Sequence, residues 1–332
     1  MCALSAWGRL SVPDSTLEFP MTVLAPQISM QLRTFAPDDP GGWQPMLDQA
    51  LAMDAAGIDR LVVSDHVAFG EDLEAYGNPR TGGSAGGKQP TGPDGHWLEP
   101  LTVLTTIGAL TERVRLGTGI LLAALRRPVV LAKTAATIDV LTGGRLDLGV
   151  GVGWQRQEYE AAGLSFDGRG RLLDHTLEVC QTLWRQSRAS YSSAELSFEG
   201  IHQMPKPTQA GGVPIWISGT PNKAVARRLV TFGTGWIPWG PAMADPISGV
   251  AQMAEMVVAA GGDPSTLEVL GYAAIVRGDD GVVDLDATMD GVPALLDAGI
   301  TDVRLSLAVP DGRQAATEYL TDVVSRFRAV TT

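Results

Sequence analysis

The stretch from Arg113 to Glu158 constrains the fold of this chain most, because it reads as strand, helix, strand with glycines at both strand ends. Short apolar runs at 114–116 and 146–150 flank a segment of helical spacing at 129–141. Two parallel strands joined by a helix place their glycine-rich ends on the same face of one sheet. Glycines there let the backbone approach a ligand closely, and their exposed N–H groups favour an anion. The stretch therefore predicts a cofactor-binding edge.

The same alternation of strand and helix runs through the whole chain. Strands are predicted at 22–28, 60–65, 114–120, 145–150, 214–218, 235–238, 269–276 and 302–307. Helices are predicted at 43–56, 98–111, 128–141, 169–186, 222–232, 243–260, 285–298 and 313–330. Eight βα units without a long break predict a (β/α)8 TIM barrel, whose active site lies at the C-terminal ends of the strands.

A doubly wound sheet is the rival fold, and it has a signature of its own. A dinucleotide fingerprint requires G-x-G-x-x-G between a strand and a helix, and the best candidate here is the segment 149–154. Trp154 occupies the last glycine position of that fingerprint. A bulky indole there would block the close packing that glycine permits, so the barrel is preferred.

Composition restricts the partners and the compartment. The 332 residues carry a formal charge of −12 and four lysines, whereas nucleic acids and anionic membranes bind proteins through basic patches. Cys2 and Cys180 provide no disulfide framework, and no apolar run approaches the roughly 18 residues of a membrane span. Residues 1–20 lack the basic start and apolar core of a signal peptide. We therefore expect a cytoplasmic protein with no nucleic-acid or membrane partner. We also expect a poorly ordered extension over residues 1–20 and a single domain over residues 21–332.

Several short motifs, taken in order, resemble one family of barrels. They are Ser64-Asp65-His66, Trp97-Leu98-Glu99-Pro100, Leu116-Gly117-Thr118-Gly119-Ile120, Arg126-Arg127-Pro128, Gly143-Gly144-Arg145, Leu148-Gly149-Val150-Gly151-Val152-Gly153-Trp154 with Glu158, Pro205-Lys206-Pro207, and Pro214-Ile215-Trp216-Ile217-Ser218-Gly219. Together they resemble the luciferase-like monooxygenase superfamily, and most of all its branch that depends on the deazaflavin coenzyme F420. The resemblance implies an (α/β)8 barrel that binds F420 or FMN and transfers a hydride or activates oxygen. It is strong over residues 22–240 and weaker beyond.

His66 is the side chain that we expect to carry proton chemistry. It ends the strand predicted at 60–65, and strand alternation places Ser64 and His66 on one side and Asp65 on the other. Asp65 is therefore not expected to be its partner. Histidine titrates near neutral pH and can give or take a proton where a carbonyl is reduced or a hydroxyl oxidised. The alternative is a structural histidine at a strand end.

The resemblance also implies where the cofactor ring lies. Gly119 and Ile120 resemble the pair whose peptide bond is often a non-prolyl cis bond or a bulge that presses against the ring. Leu121 and Leu122 should then depart from simple strand alternation. Ser64 is also predicted to bind the cofactor, and Trp154, at a strand end, could flank a planar ring. An ordinary strand end at Gly119 is the alternative.

Two loops are predicted to bind the cofactor phosphate. Gly151, Val152 and Gly153 follow the fourth strand, and the segment 219–222 follows the fifth and opens a helix whose free N–H groups suit an anion. Gly219, Thr220 and Asn222 are the residues predicted to bind there, although Asn222 could equally be a plain N-cap. Arg127 stands where relatives commonly have Asn or His, so it is expected to add a phosphate contact or to alter the choice of cofactor.

Three functions remain open on these grounds. The first is an F420-dependent oxidoreductase acting on a small organic substrate. The second is an FMN-dependent monooxygenase that needs a separate flavin reductase as partner. The third is a barrel that binds a cofactor or ligand without catalysis. The long segments 67–96 and 190–212 are predicted to wall the substrate cavity. No metal site is expected, and the resemblance allows a homodimer.

Overall fold

The computed structural model describes residues 25–331. The strands in this part of the chain are β1 (Gln27–Gln31), β2 (Phe35–Ala36), β3 (Arg60–Val63), β4 (His96–Trp97), β5 (Arg115–Thr118), β6 (Leu146–Val150), β7 (Ala189–Ser192), β8 (Ser197–Ile201), β9 (Ile215–Gly219), β10 (Gly235–Pro238), β11 (Glu268–Tyr272) and β12 (Asp302–Leu305). The α-helices are α1 (Gln44–Ala56), α2 (Pro100–Leu110), α3 (Pro128–Leu141), α4 (Arg156–Ala161), α5 (Arg169–Arg185), α6 (Lys223–Phe232), α7 (Pro241–Ala244), α8 (Pro246–Ala259), α9 (Leu285–Met289), α10 (Val292–Asp297) and α11 (Arg313–Thr331). Short 3-10 helices lie at Glu74–Gly77, Pro79–Thr81, Ala123–Leu125 and Pro264–Thr266.

Eight of the strands close into a barrel in the order β1-β12-β11-β10-β9-β6-β5-β3. Every neighbouring pair is parallel, and the ring closes where Ser29 of β1 pairs with both Arg60 of β3 and Arg304 of β12. The predicted (β/α)8 TIM barrel is therefore confirmed, and the doubly wound sheet is excluded. The predicted extension over residues 1–20, and residues 22–24 of the first predicted strand, lie outside the described residues.

The sequence patterns that predicted the elements also explain their ends. Barrel strands such as β6 are buried at every position, as expected of parallel strands with helices outside and packed residues inside. The helix α3 begins at Pro128, directly after the extended residue Arg127, because proline fits the first helical turn, where its missing N–H costs nothing. The helix α1 ends at Gly57, whose φ of 89° is a left-handed conformation that glycine adopts without strain.

Two predicted helices are each divided by the structure. The segment 243–260 was expected to be one helix, but α7 ends at Ala244 and α8 begins at Pro246, where the Asp245 side chain accepts the Ser248 N–H. The segment 285–298 forms α9 and α10, which Asp290 and Gly291 separate. A short helix, α4, was not predicted.

The segment 190–212 does not wall the cavity, in contrast to the sequence-based expectation. Its first part pairs as the antiparallel strands β7 and β8. None of its residues is among those lining the large cavity at the mouth of the barrel. Tyr191 and Phe198 of these strands instead pack on the core between barrel and helices. The substrate wall assigned to this segment is therefore wrong.

A buried cluster of charged side chains fills the bottom of the barrel. Arg60 binds Asp147 at 2.9 Å and Glu268 at 3.4 Å, and it also pairs with Asp302. Arg115 joins the cluster through Asp147 at 2.5 Å. Burial alone would lower the pKa of Arg60, but Asp302, Asp147 and Glu268 raise it, so the guanidinium stays charged. The cluster closes the end of the barrel opposite the cavity.

Candidate functional site

A cavity of about 470 Å³ opens at the C-terminal ends of the barrel strands. This is the end at which TIM barrels carry their active sites. Nine of the predicted site residues line it: Ser64, His66, Gly119, Ile120, Gly151, Val152, Gly153, Trp154 and Gly219.

Three predicted site residues are not brought to this cavity. Arg127 is exposed and extended at the residue directly before α3, and it is not a lining residue. Thr220 and Asn222 lie just beyond the lining residue Gly219. The Asn222 side chain accepts the N–H groups of Ala224 and Val225, so it acts as the N-cap of α6. None of these three residues is therefore among those that line the cavity, and their cofactor contacts stay predictions.

His66 lies at the mouth of the barrel, just after β3. Its Nδ1 is 3.3 Å from Glu158 Oε2. Aromatic rings surround the imidazole, with centroids at 4.3 Å for Phe69, 5.0 Å for Trp97 and 5.8 Å for Trp154. Because Nδ1 faces a carboxylate, Nε2 is the nitrogen left for a ligand.

Glu158 is the functional residue whose role the sequence did not predict. It is 2% exposed and lies in α4, and its Oε1 accepts the backbone N–H of Val67 at 2.6 Å and of Ala68 at 3.4 Å. One carboxylate therefore holds both the His66 ring and the chain that follows it. The sequence signal that could have pointed to this role is the position of Glu158 five residues after Gly153, in the helix α4 that begins just after the glycine loop.

Asp65 has a different partner, as strand alternation predicted. Its carboxylate accepts two hydrogen bonds from Arg126, at 2.6 Å and 3.1 Å, and one from the Leu122 N–H at 2.8 Å. Arg126 also reaches Glu99 at 2.8 Å. A bidentate arginine–carboxylate pair is rigid as well as strong, so it fixes the chain after β3 to the chain after β5. Arg126, rather than Arg127, is the arginine of this motif that supports the site.

The Gly119–Ile120 peptide bond is cis, which confirms the form implied by the family resemblance. Beyond it, Leu121 forms a bridge to Val150 of β6, whereas the Leu122 N–H donates to Asp65. Both leucines are buried, as the residues of a regular barrel strand also are, so their departure from strand alternation stays a prediction. The bond lies in the cavity wall.

The glycines after β6 are required by close packing. A Cβ at Gly151 would lie 2.7 Å from Ile120 Cδ1, and a Cβ at Gly153 would lie 2.7 Å from Leu122 Cδ2. Gly153 also has a φ of +66°, which side-chain-bearing residues rarely adopt. The backbone of this loop therefore forms part of the cavity surface, and the Gly151 N–H donates to the Leu121 carbonyl at 3.2 Å.

The segment 67–96 covers one side of the cavity, as predicted. Tyr76, Gly82 and Gln89 from this segment are lining residues. The Trp239 indole N–H, from just after β10, donates to the carbonyls of Gly82 at 3.0 Å and Gly83 at 3.3 Å. We call residues 67–96 the covering segment. The indole holds it against the barrel.

Arg304 brings a positive charge to the cavity floor. It is 4% exposed, lines the cavity, and donates from Nε to Ser29 Oγ at 3.1 Å. A Cβ at Gly119 would lie 3.5 Å from Arg304 Nη1, so the guanidinium is directly beside the cis peptide. The Ser29 hydroxyl in turn bonds Asp302 of the charged cluster below.

Within residues 25–331, no helix is both long enough and apolar enough to cross a bilayer. No group of three or more His, Cys, Asp or Glu side chains in this range is arranged to hold a metal ion.

Known proteins are similar to this chain in sequence and in fold. An F420-dependent glucose-6-phosphate dehydrogenase from Mycobacterium avium is 31% identical over 201 residues, which are 58% of this chain and 52% of that protein. An F420-dependent secondary alcohol dehydrogenase, solved with an F420–acetone adduct, matches with a TM-score of 0.69 at 17% identity, over 92% of this chain and 100% of that one. The oxygenating constituent of 3,6-diketocamphane monooxygenase from Pseudomonas putida, solved with FMN, matches with a TM-score of 0.63 at 14% identity, over 93% and 96% of the two chains.

The two structural matches show a shared fold, and the family assignment rests on sequence. The model of the luciferase-like monooxygenase family matches residues 27–282. That range runs from β1 past β11 and contains His66, Glu158, the cis peptide and both glycine loops. Because the match spans most of the barrel and most of its cavity, this chain belongs to the luciferase-like monooxygenase family.

Proposed function

We propose that this protein is an F420-dependent oxidoreductase that transfers a hydride to or from a small organic substrate, with His66 as the proton carrier. The observation that carries the proposal is the pairing of His66 with the buried carboxylate of Glu158 at 3.3 Å, in the cavity that also holds the Gly119–Ile120 cis peptide. The 31% identity to the F420-dependent dehydrogenase of Mycobacterium avium supports F420 as the cofactor.

The residues of the cavity fit a large ligand with a flat ring and an anionic tail. The loop of Gly151 and Gly153 presents bare backbone, and the Arg304 guanidinium lies on the floor. Among the described residues, Trp154 Nε1 and Gln89 Nε2 are buried donors without a partner, and both side chains belong to the cavity wall. Buried donors are normally satisfied, so a ligand rich in acceptors would complete this site. Ser64, Gly119 and Ile120 would hold the ring, and the loops at Gly151 and Gly219 would hold the phosphate.

The protein's own part in the reaction is proton transfer and the exclusion of water. Bound F420 supplies the hydride acceptor or donor. Glu158 accepts a hydrogen bond from the Nδ1–H of His66, which leaves Nε2 unprotonated as a base for a substrate hydroxyl. When an alcohol is oxidised, its carbinol hydrogen leaves as hydride, its hydroxyl proton passes to His66 Nε2, and a carbonyl forms. In the reverse direction, protonated His66 returns that proton to the carbonyl oxygen.

A second candidate function is an FMN-dependent monooxygenase with a separate reductase. It is favoured by the description of the matching family and by the shared fold with the FMN-bound oxygenase of Pseudomonas putida. The same glycine loops and the same ring site would serve FMN, so this candidate differs from the first in the cofactor rather than in the scaffold.

Titration of the purified protein with F420 and with FMN, each followed by fluorescence, tests the choice. We expect F420 to bind at least about tenfold more tightly than FMN, a difference of about 1.4 kcal/mol. Protein that holds stoichiometric FMN after purification and shows no affinity for F420 would reject the first candidate in favour of the second. Protein that binds neither cofactor would reject both and leave a binding role for the barrel.

A further inference from the structure

The surroundings of His66 restrict the chemistry of the substrate. Resting on the proposed function, we propose that the substrate is an uncharged, largely apolar alcohol or ketone whose reacting oxygen is its main polar group. It would bind in the cavity beside His66, where Phe35, Trp97 and Trp154 are lining residues and Phe69 packs against the imidazole. We call these four side chains the aromatic chamber.

The aromatic chamber is built from four separate parts of the chain. The antiparallel pairing of β2 with β4 sets Phe35 opposite Trp97, and their rings stack with centroids 4.1 Å apart and planes 14° apart. Phe69 follows β3 and lies 5.5 Å from Trp97. Trp154 completes the chamber after β6, with its ring at 75° to the imidazole of His66. A substrate carbon placed next to His66 therefore meets aromatic surfaces on several sides.

Most polar groups near His66 are already bonded to one another. The Trp154 indole N–H is a buried donor without a partner among the described residues, and it could donate to the single oxygen of the substrate. The Trp97 indole donates to Thr91 Oγ1 at 2.9 Å, and Gln31 Nε2 donates to Ser64 Oγ at 2.7 Å. Both carboxylate oxygens of Glu158 are occupied, one by His66 and one by backbone N–H groups. A sugar brought here would lose water from several hydroxyls without gaining enough partners. Each unpaired hydroxyl would lower affinity by about tenfold, whereas a substrate with one oxygen avoids that loss.

The charges of the cavity do not form a phosphate site around His66. The cationic side chains that line the described cavity are Lys88 and Arg304. Lys88 is exposed on the covering segment, whereas Arg304 is buried on the floor beside Gly119. Asp65 also lines the cavity, but Arg126 neutralises it. A phosphorylated sugar held with its carbinol at His66 would lack a cluster of cations for its phosphate.

Calorimetric titration of the F420-loaded protein with cyclohexanone and with glucose 6-phosphate tests the proposal. We expect cyclohexanone to bind and glucose 6-phosphate to bind at least about a hundredfold more weakly. Trp97→Leu should weaken cyclohexanone binding about tenfold, and Trp97→Phe should restore most of it. Phe198→Leu is the matched control, because it removes a half-buried aromatic ring of β8 outside the cavity, and it should leave binding unchanged. If Trp97→Leu fails to fold by circular dichroism, Phe35→Leu replaces it.

The outcomes separate this proposal from the proposed function. Tighter binding or turnover of glucose 6-phosphate with F420 would overturn the substrate class and leave the F420-dependent function standing. Equal effects of Trp97→Leu and Phe198→Leu on cyclohexanone binding would overturn the aromatic chamber as the site. If F420 does not bind, the proposed function fails. The same two titrations on the protein alone then still decide between a neutral and a phosphorylated ligand.

Discussion

The proposed proton transfer depends on the hydrogen-bonded pair of His66 and Glu158. We expect His66→Ala to lower the turnover of an accepted alcohol by about two to four orders of magnitude, the usual effect of removing a general acid or base. The dissociation constant for F420 should stay unchanged, because the imidazole is placed to act on the substrate. His175→Ala, which removes a histidine bonded to Tyr191 outside the cavity, serves as the control. Normal turnover in the His66 variant would reject its role.

Glu158→Gln separates positioning from proton transfer. The amide keeps an acceptor for the Val67 N–H but removes the negative charge beside His66 Nδ1. We expect turnover to fall by about tenfold to a hundredfold, with the pH dependence of kcat/KM displaced and the KM nearly unchanged. An unaltered pH profile together with a lowered melting temperature would show that Glu158 is only structural.

Asp54 provides a test of pH-dependent stability away from the site. Burial raises the pKa of its carboxyl group, but hydrogen bonds from the backbone N–H groups of Val114, Arg113 and Glu112 outweigh this and lower the pKa below its usual 3.8. A lowered folded-state pKa means that the stabilisation is present above pH 3.8 and is lost as the pH falls through the folded value. Asp54→Asn should therefore cost about 1 kcal/mol of unfolding free energy at pH 7. In urea titrations this cost should shrink below pH 3.8 and stay constant above pH 5.

At the scale of elements, the glycine loop after β6 can be tested with a matched pair of variants. Gly153 and Gly163 have similar φ values of +66° and +72°, so a side chain strains the backbone comparably at both. A Cβ at Gly163 meets open space, whereas one at Gly153 meets Leu122 in the cavity wall. Gly153→Val should weaken F420 binding by about tenfold or more, and Gly163→Val should change only stability. Equal loss of F420 affinity in both variants would contradict the phosphate loop.

The contact between Trp239 and the covering segment predicts a local opening. Trp239→Phe removes the hydrogen bonds to Gly82 and Gly83 and keeps an aromatic ring. One lost hydrogen bond of about 1 kcal/mol should raise the open population of the segment about fivefold. Trypsin should then cut faster at the exposed Arg80 and Lys88. Trp236→Phe is the control, because it loses a bond from β10 to Gly219 of the neighbouring strand β9 rather than one to the segment.

The elements were largely predictable, because apolar runs ending in glycine mark barrel strands whatever their partners. β10 and α3 have the predicted bounds, and His66 and the cavity glycines follow from their positions at strand ends. Contacts between distant segments were not predictable in this way. Glu158 and His66 are 92 residues apart in sequence, and only the closed barrel brings them together. The choice between Arg126 and Arg127 depends on which side chain reaches Asp65, 61 residues away from Arg126 in sequence, and the pattern alone does not determine this.

At the scale of the whole molecule, stability should depend on the buried cluster at the bottom of the barrel. Arg60→Met would leave Asp302 buried without its arginine and would remove one of the two arginines that bind Asp147, and breaking such a network typically costs about 3–5 kcal/mol. Arg115→Met removes a more exposed member of the same cluster and should cost clearly less. Urea denaturation measures both variants. Equal losses would mean that the cluster stabilises the fold through packing rather than charge.

The same cluster closes the base of the cavity. Arg60, Asp147 and Asp302 expose at most 4% of their side chains, so the described barrel offers no passage through its base. Two ligands that share such a cavity must both enter and leave through the mouth of the barrel. The deeper ligand has to arrive first, and it stays trapped until the shallower one departs. Steady-state kinetics would then follow a compulsory order, in which the deeper ligand binds first and its product leaves last.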